Sequence, residues 1–231
     1  MALVDLEMLA CEETRIGMIC LWRGGLPSDP KTLVTEITLD HAFLMSSLFS
    51  ASERAFAAKA LEMHPKSGMK VLVGGLGLGH TADAALENER VARVDVVELL
   101  PEVIGWLDRG LVPLGAKLKA DRRFSVTQGD VYRRLASPPI ETYDLILVDV
   151  DHSPERPLDP ASNSFYTDAG LDLAKAHLEP NGILGVWSYA ESPAFADTLR
   201  RVFREVRVES VTAQNPKLDE EETNWLFLAR V

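Results

Sequence analysis

The sequence predicts an α/β protein: a parallel sheet that ends in an antiparallel hairpin, preceded by a small β meander. Three observations carry this reading. The apolar run Met69-Lys70-Val71-Leu72-Val73 stops in the turn Gly74-Gly75-Leu76-Gly77-Leu78-Gly79, a strand emptying into a loop, and Thr81-Ala82-Asp83-Ala84-Ala85-Leu86 supplies a helix behind it. Apolar runs and helical stretches then alternate, as βα units do. Finally, the runs at 206–211 and 225–229 are separated by Asn215-Pro216 and an acidic stretch with no helix. Two strands joined without a crossover pair antiparallel.

In chain order, the alternating text from Glu7 to Leu39, broken by Gly24-Gly25, Pro27 and Pro30, predicts the meander. We divide the chain into this small N-terminal unit, 1–49, and a main α/β domain, 50–231. Ser50-Ala51-Ser52-Glu53 has the spacing of a capping box, so a helix is expected from there to Met63, ended by His64-Pro65. His64 is expected to interact with that helix's C-terminal dipole. Pro101 opens a helix to Leu107; 124–128 and 143–150 read as strands; 164–178 reads as a helix closed by Pro180-Asn181-Gly182. The run 183–188 is a strand and 193–203 a helix. A parallel sheet finished by a hairpin is the class I methyltransferase, Rossmann-like pattern.

Composition narrows the function. With 231 residues, 46% of them apolar, the chain can bury one large core. Its formal charge of −11, with no compensating basic run, excludes a nucleic-acid surface and suits a small neutral or cationic acceptor. Cys11 and Cys20 are expected to be reduced thiols, and neither has metal-ligand company, so no metal is expected. Acids near the N-terminus and the lack of an apolar run of about 20 residues give the expectation of a cytoplasmic protein without a membrane span. A meander this small must lie on the main domain or on a second subunit, and a homodimer is expected.

The glycine turn is the core of the site. Gly75, Gly77 and Gly79 alternate, which lets the backbone take positive φ and approach a ligand closely. The second apolar run, Val94-Asp95-Val96-Val97, ends in Glu98, and a carboxylate there can accept from both hydroxyls of a ribose. A dinucleotide fingerprint needs G-x-G-x-x-G, whereas here the spacing is G-x-G-x-G. That favours a nucleoside without pyrophosphate: S-adenosylmethionine or a close relative, held by the glycines and Glu98-Leu99. Asp130 can cap the helix beginning at Val131. Asp149-Val150-Asp151-His152 ends a strand at the sheet edge where ligands bind. Asp149 is expected to serve both nucleoside and chemistry, with Asp151 and His152 as further catalytic candidates. Trp187, Ser188 and Tyr189 are candidates for an acceptor wall or for core, and His80 is expected to face water.

The order of meander, capped helix and glycine loop, followed by Val94-Asp95-Val96-Val97-Glu98-Leu99, Gln128-Gly129-Asp130-Val131, Tyr143-Asp144-Leu145-Ile146-Leu147-Val148-Asp149 and Ser164-Phe165-Tyr166, resembles the spermidine synthase family of polyamine aminopropyltransferases. The resemblance implies that Glu98 holds the ribose, Asp130 the adenine amino group, and that Asp149 takes a proton from the attacking amine. The family's loop reads roughly G-G-G-D-G, its acid gripping the amine of decarboxylated S-adenosylmethionine; Leu78 stands at that place. The family's Tyr-(His or Gln)-Glu cluster has no counterpart in 53–59, and the second Asp of its gatekeeping loop falls opposite His152, with Asp151 one residue away. Because Leu78 removes both the grip on an amine and the repulsion of a carboxylate, methyl transfer from intact S-adenosylmethionine to a small nucleophile is expected ahead of aminopropyl transfer. The alternatives are a polyamine synthase with a rearranged amine site and a non-catalytic nucleoside-binding or dimerisation module.

Overall fold

The computed structural model describes residues 3–150, 153–158, 160–215 and 220–231. The chain opens with β1 (Val4–Thr14), β2 (Gly17–Leu26), β3 (Asp29–Leu39) and β4 (Ala42–Ser46), paired antiparallel in chain order. Then come α1 (Ala51–Met63), β5 (Met69–Gly74), α2 (His80–Leu86), β6 (Val91–Glu98), α3 (Pro101–Asp108), α4 (Gly115–Ala120), β7 (Phe124–Gln128), α5 (Val131–Leu135) and β8 (Tyr143–Val148). A 3-10 helix (Pro160–Tyr166) leads to α6 (Asp168–Lys175), β9 (Leu178–Ser188), α7 (Pro193–Val202), β10 (Glu205–Asn215) and β11 (Glu220–Arg230).

The second sheet has seven strands in the order β10-β11-β9-β8-β5-β6-β7. Its strands from β9 to β7 run parallel, while β11 pairs antiparallel with both β9 and β10. The hairpin expected from the missing crossover is therefore present, with the later strand inserted inside the earlier one. After β5 the chain moves outward through β6 and β7, then returns to β8 on the other side of β5. That reversal opens a crevice at the carboxyl ends of β5 and β8, where an open α/β sheet binds its ligand.

Burial explains why these runs are strands. All six residues of β8 and five of six in β5 are buried, the continuous apolar text of strands covered on both faces. On one face Phe56, Leu61, Trp106 and Leu107 pack against Val71, Val73 and Leu147; on the other Phe165, Leu171 and Leu199 pack against Leu72, Ile146 and Leu184. Ile19, Leu21 and Ile37 of the small sheet join the first of these clusters, so the meander rests on the main sheet and roofs its ligand edge.

Four expectations are corrected. Ser50 precedes α1 but makes no side-chain cap bond; Glu53 accepts instead from the Oγ of buried Ser52 at 2.7 Å, which takes up the carboxylate the capping box would have used. His64 is buried, and burial lowers its pKa, so it is a neutral ring accepting from Lys66 N–H rather than a cation on the helix dipole. The stretch 164–178 is a 3-10 helix followed by a shorter α6, and Pro180-Asn181-Gly182 lies within β9, where Asn181 takes a φ of 65°. Cys11 and Cys20 form a disulfide, since the β1–β2 pairing sets them directly opposite each other with Cα atoms 4.0 Å apart. Among the described residues no helix is long and apolar enough to cross a membrane.

Closing this short loop restricts the unfolded chain, so the paired substitution Cys11→Ser/Cys20→Ser is expected to cost about 2–3 kcal/mol. Denaturant unfolding with and without reductant checks it. Identical midpoints for the untreated, reduced and substituted proteins would show that the thiols are not joined.

Candidate functional site

At the carboxyl edge of the sheet, the glycine loop is held in a conformation that side chains would prevent. Gly75 has a φ of +91°, and a Cβ there would lie 2.4 Å from the Asp149 carbonyl oxygen. Gly77 has a φ of +49° with the Met45 thioether 2.7 Å from where its Cβ would be. The first glycine thus lets β5 and β8 meet, and the second lets the roof of the small sheet close down. Gly79 starts α2 and packs on Leu118; it is away from the space below.

That space is a cavity of about 350 Å³, walled by Ile16, Leu39 and Met45 of the roof and by the ends of β5, β6, β7 and β8. Gly75, Gly77, Glu98, Leu99, Asp130, Val131 and Asp149 all line it, so the structure gathers most of the residues singled out in the sequence around one void. Asp151 and His152 lie outside the described residues. Among the described residues no cluster of acids, histidines and cysteines could hold a metal ion.

Glu98 is 7% exposed, and each of its oxygens is engaged: Oε2 accepts from Leu76 N–H at 2.7 Å and Oε1 from Leu100 N–H at 2.8 Å. Burial pushes its pKa up, and the backbone donors oppose that. The N–H groups of Leu99 and Gly77 act on the same carboxylate, so the glycine loop and the start of α3 converge on it. Leu99 and Val131 offer apolar surface on which a flat base can lie. Asp130 caps α5 as expected, its Oδ1 accepting from Tyr132 N–H and Arg133 N–H, while Oδ2 faces Arg15 at 3.6 Å.

Asp149 has one edge on the cavity and is otherwise enclosed. Its Oδ2 accepts from Thr81 Oγ1 at 2.5 Å. Burial, and then the negative charge of Glu53 nearby, push its pKa up to about 7, while the Thr81 bond pulls the other way. Glu53 is itself raised, chiefly by burial. Both carboxyls therefore hold a proton more readily than exposed ones do, Asp149 near neutral pH. Described cations on the cavity wall, Arg15 and Arg133, stand at the Asp130 end, so the glycine-loop end is acidic.

Several side chains stand elsewhere than the sequence implied. Leu78 is 1% exposed and belongs to the apolar core rather than to the cavity wall. His80 is largely enclosed, its Nε2 has no partner, and burial lowers its pKa; it does not face water. Trp187 packs on the core, Ser188 is buried with its hydroxyl donating to Ala190 O at 2.6 Å, and none of 187–189 lines the cavity. Glu53, Thr81 and Arg15 were missed. Glu53 was hidden by its capping-box spacing, Thr81 follows the glycine loop and was readable only as helix, and Arg15 carries no local signal at all.

Glu98→Gln places a donor where two backbone donors converge. It is expected to cost about 1–3 kcal/mol of stability as well as to weaken nucleoside binding about tenfold. Melting and titration of the same sample check it; an unchanged melting point would remove the loop-anchoring role.

No family model matches the chain. Polyamine aminopropyltransferase 2 of Streptomyces coelicolor is 34% identical over 129 residues, covering 54% of this chain and 23% of that protein. The polyamine aminopropyltransferase of Oceanobacillus iheyensis is 34% identical over 128 residues, covering 54% and 24%. The chain thus spans about a quarter of the length of these curated relatives. Among solved structures, spermidine synthase from Thermotoga maritima superposes with a TM-score of 0.70 at 16% identity, covering 96% of this chain and 72% of that one. A spermidine synthase in complex with the transition-state analogue AdoDATO gives 0.75 at 17% identity, covering 96% and 73%. In sequence the chain is similar to the polyamine aminopropyltransferases, and its fold is the class I methyltransferase-like fold of the spermidine synthases.

Proposed function

We propose that the protein binds decarboxylated S-adenosylmethionine and transfers its aminopropyl group to a small cationic amine. The observation that carries this is the Asp149 carboxyl on the cavity wall beside Gly75 and Gly77, with the negative charge of Glu53 acting on it. An acidic wall there attracts an ammonium group and repels the carboxylate of intact S-adenosylmethionine. It supplies from α1 and β8 the charge that the glycine loop lacks at Leu78. The relatives' names support the same reading. Methyl transfer, expected from Leu78, gains no support from them, and Leu78 lies in the core, away from the cavity wall.

In this reading Glu98 and Asp130 hold ribose and base, and the alternating glycines let the chain pass close to the sulfonium end. The acceptor enters as an ammonium, and the Asp149 carboxylate takes one proton from it. The freed nitrogen lone pair attacks the propyl carbon bonded to sulfur; the C–N bond forms as the C–S bond breaks, and the sulfonium leaves as the neutral thioether methylthioadenosine. Alignment of nitrogen, carbon and sulfur supplies most of the acceleration, with proton removal adding about 10²–10⁴-fold.

Incubation with a diamine and either nucleoside, followed by chromatography, is the direct test. Methylthioadenosine from the decarboxylated nucleoside is expected. Formation of S-adenosylhomocysteine from the intact one would establish methyl transfer, and no product from either would leave a binding module.

Asp149→Asn is expected to lower turnover by about 10²-fold while nucleoside affinity changes little. The wild-type rate should rise with pH through about 7 as Asp149 gives up its proton. Stability runs the other way. The folded pKa lies above the usual carboxylate value, so the contribution is complete at acid pH and is lost as pH rises through about 7. The wild type should therefore lose on the order of a few kcal/mol between pH 5 and 8 that the Asn variant keeps. A rate profile flat across pH 7 in both proteins would remove Asp149 as the base.

A further inference from the structure

The turn joining β1 to β2 reaches over the cavity and brings Arg15 and Ile16 to its wall. This turn is built before any ligand arrives: Thr14 Oγ1 donates to Gly17 O at 2.7 Å and accepts from Ile16 N–H at 3.2 Å, and Asp40 Oδ1 accepts from Met18 N–H at 2.8 Å. Behind it, the Cys11–Cys20 disulfide ties the two strands together. Arg15 Nη2 thereby stands 3.6 Å from Asp130 Oδ2, from the roof to the opposite wall. Asp130 Oδ1 is occupied by the two N–H groups of α5, so Oδ2 is the oxygen turned toward Arg15. The end of the cavity remote from Asp149 is thus a planar fork of N–H donors beside a carboxylate acceptor.

That arrangement matches the edge of an adenine. The exocyclic amino group is a donor, and on each side of it lies a ring nitrogen that accepts, N1 on one edge and N7 on the other. We propose that Arg15 is a base-reading residue contributed by the N-terminal sheet, donating to the ring nitrogen beside the amino group that Asp130 accepts from. The proposal rests on the nucleoside reading of the cavity and gives the small sheet a part in ligand recognition. Arginine suits the role because its fork is flat and always charged, and it can lie against the base while donating at its rim.

The test is a cycle between side chain and ligand, read by calorimetric titration with methylthioadenosine and its 1-deaza and 7-deaza analogues. Each analogue replaces one ring nitrogen by C–H and leaves the amino group in place. For the wild type, one analogue is expected to bind about tenfold more weakly than the parent, the loss of one charge-assisted bond. Arg15→Ala should bind the parent about tenfold more weakly yet bind that same analogue as the wild type does. Arg15→Lys, which keeps the charge without the fork, should fall between. A turn that only braces the roof would weaken all three ligands equally, and that result overturns the proposal, as does equal affinity of wild type and Arg15→Ala for the parent. Arg15 is about half exposed, so the melting point of Arg15→Ala should equal the wild type's and report folding independently. A folded wild type that binds none of the three ligands would instead overturn the nucleoside reading and this proposal together.

Discussion

The ligand edge of this protein depends on one buried carboxylate. Glu98 ends β6, and the N–H groups of Leu76 and Leu100 both terminate on it, so the glycine loop and the start of α3 are fixed to the same side chain. A buried acid without such donors would take up a proton or expel the loop; with them it can stay charged and facing the cavity. Gly75 and Gly77 then bring the loop against Asp149 and Met45, and everything that lines the void takes its position from that contact.

Charge along the cavity is unevenly distributed. At one end Asp130 is offset by Arg15, leaving a polar but balanced edge; at the other Asp149, under the charge of Glu53, has no described cation on the wall beside it. Burial, and after it the charge of Glu53, raise Asp149, and a cationic group entering there would oppose both. Under the proposed function, that arrangement favours a ligand with positive charge at its sulfonium end and beyond. The overall formal charge of −11 points the same way but could not say where the acid is concentrated.

Local features were legible from the residues alone. Alternating glycines, the acid closing β6, and two late strands without a helix between them are written within short windows, and α1 ends at Met63 where His64-Pro65 requires it. What depended on distant partners was not legible. Glu53 has the spacing of a cap, but its proximity to β8 makes it half of an acid pair. Leu78 stands where the family resemblance implies a ligand-gripping acid, yet whether its side chain faces cavity or core is decided by the loop's rotation, and it faces the core. Cys11 and Cys20 meet only once strand register is known, and the turn carrying Arg15 reaches the site only because the small sheet shares a core with the large one. Between 160 and 182, a 3-10 helix and a positive φ at Asn181 break a pattern that looks continuously helical in the text.

The central claim is that the acid pair at the glycine-loop end selects the cationic nucleoside. Calorimetric titration at pH 7 with decarboxylated and intact S-adenosylmethionine tests it most directly, with Glu53→Gln as the comparison. The decarboxylated form should bind at least about tenfold more tightly, the scale of one unscreened charge contact in a partly buried site, and the preference should shrink in the variant. Equal affinity, or tighter binding of the intact form by the wild-type protein, would contradict it.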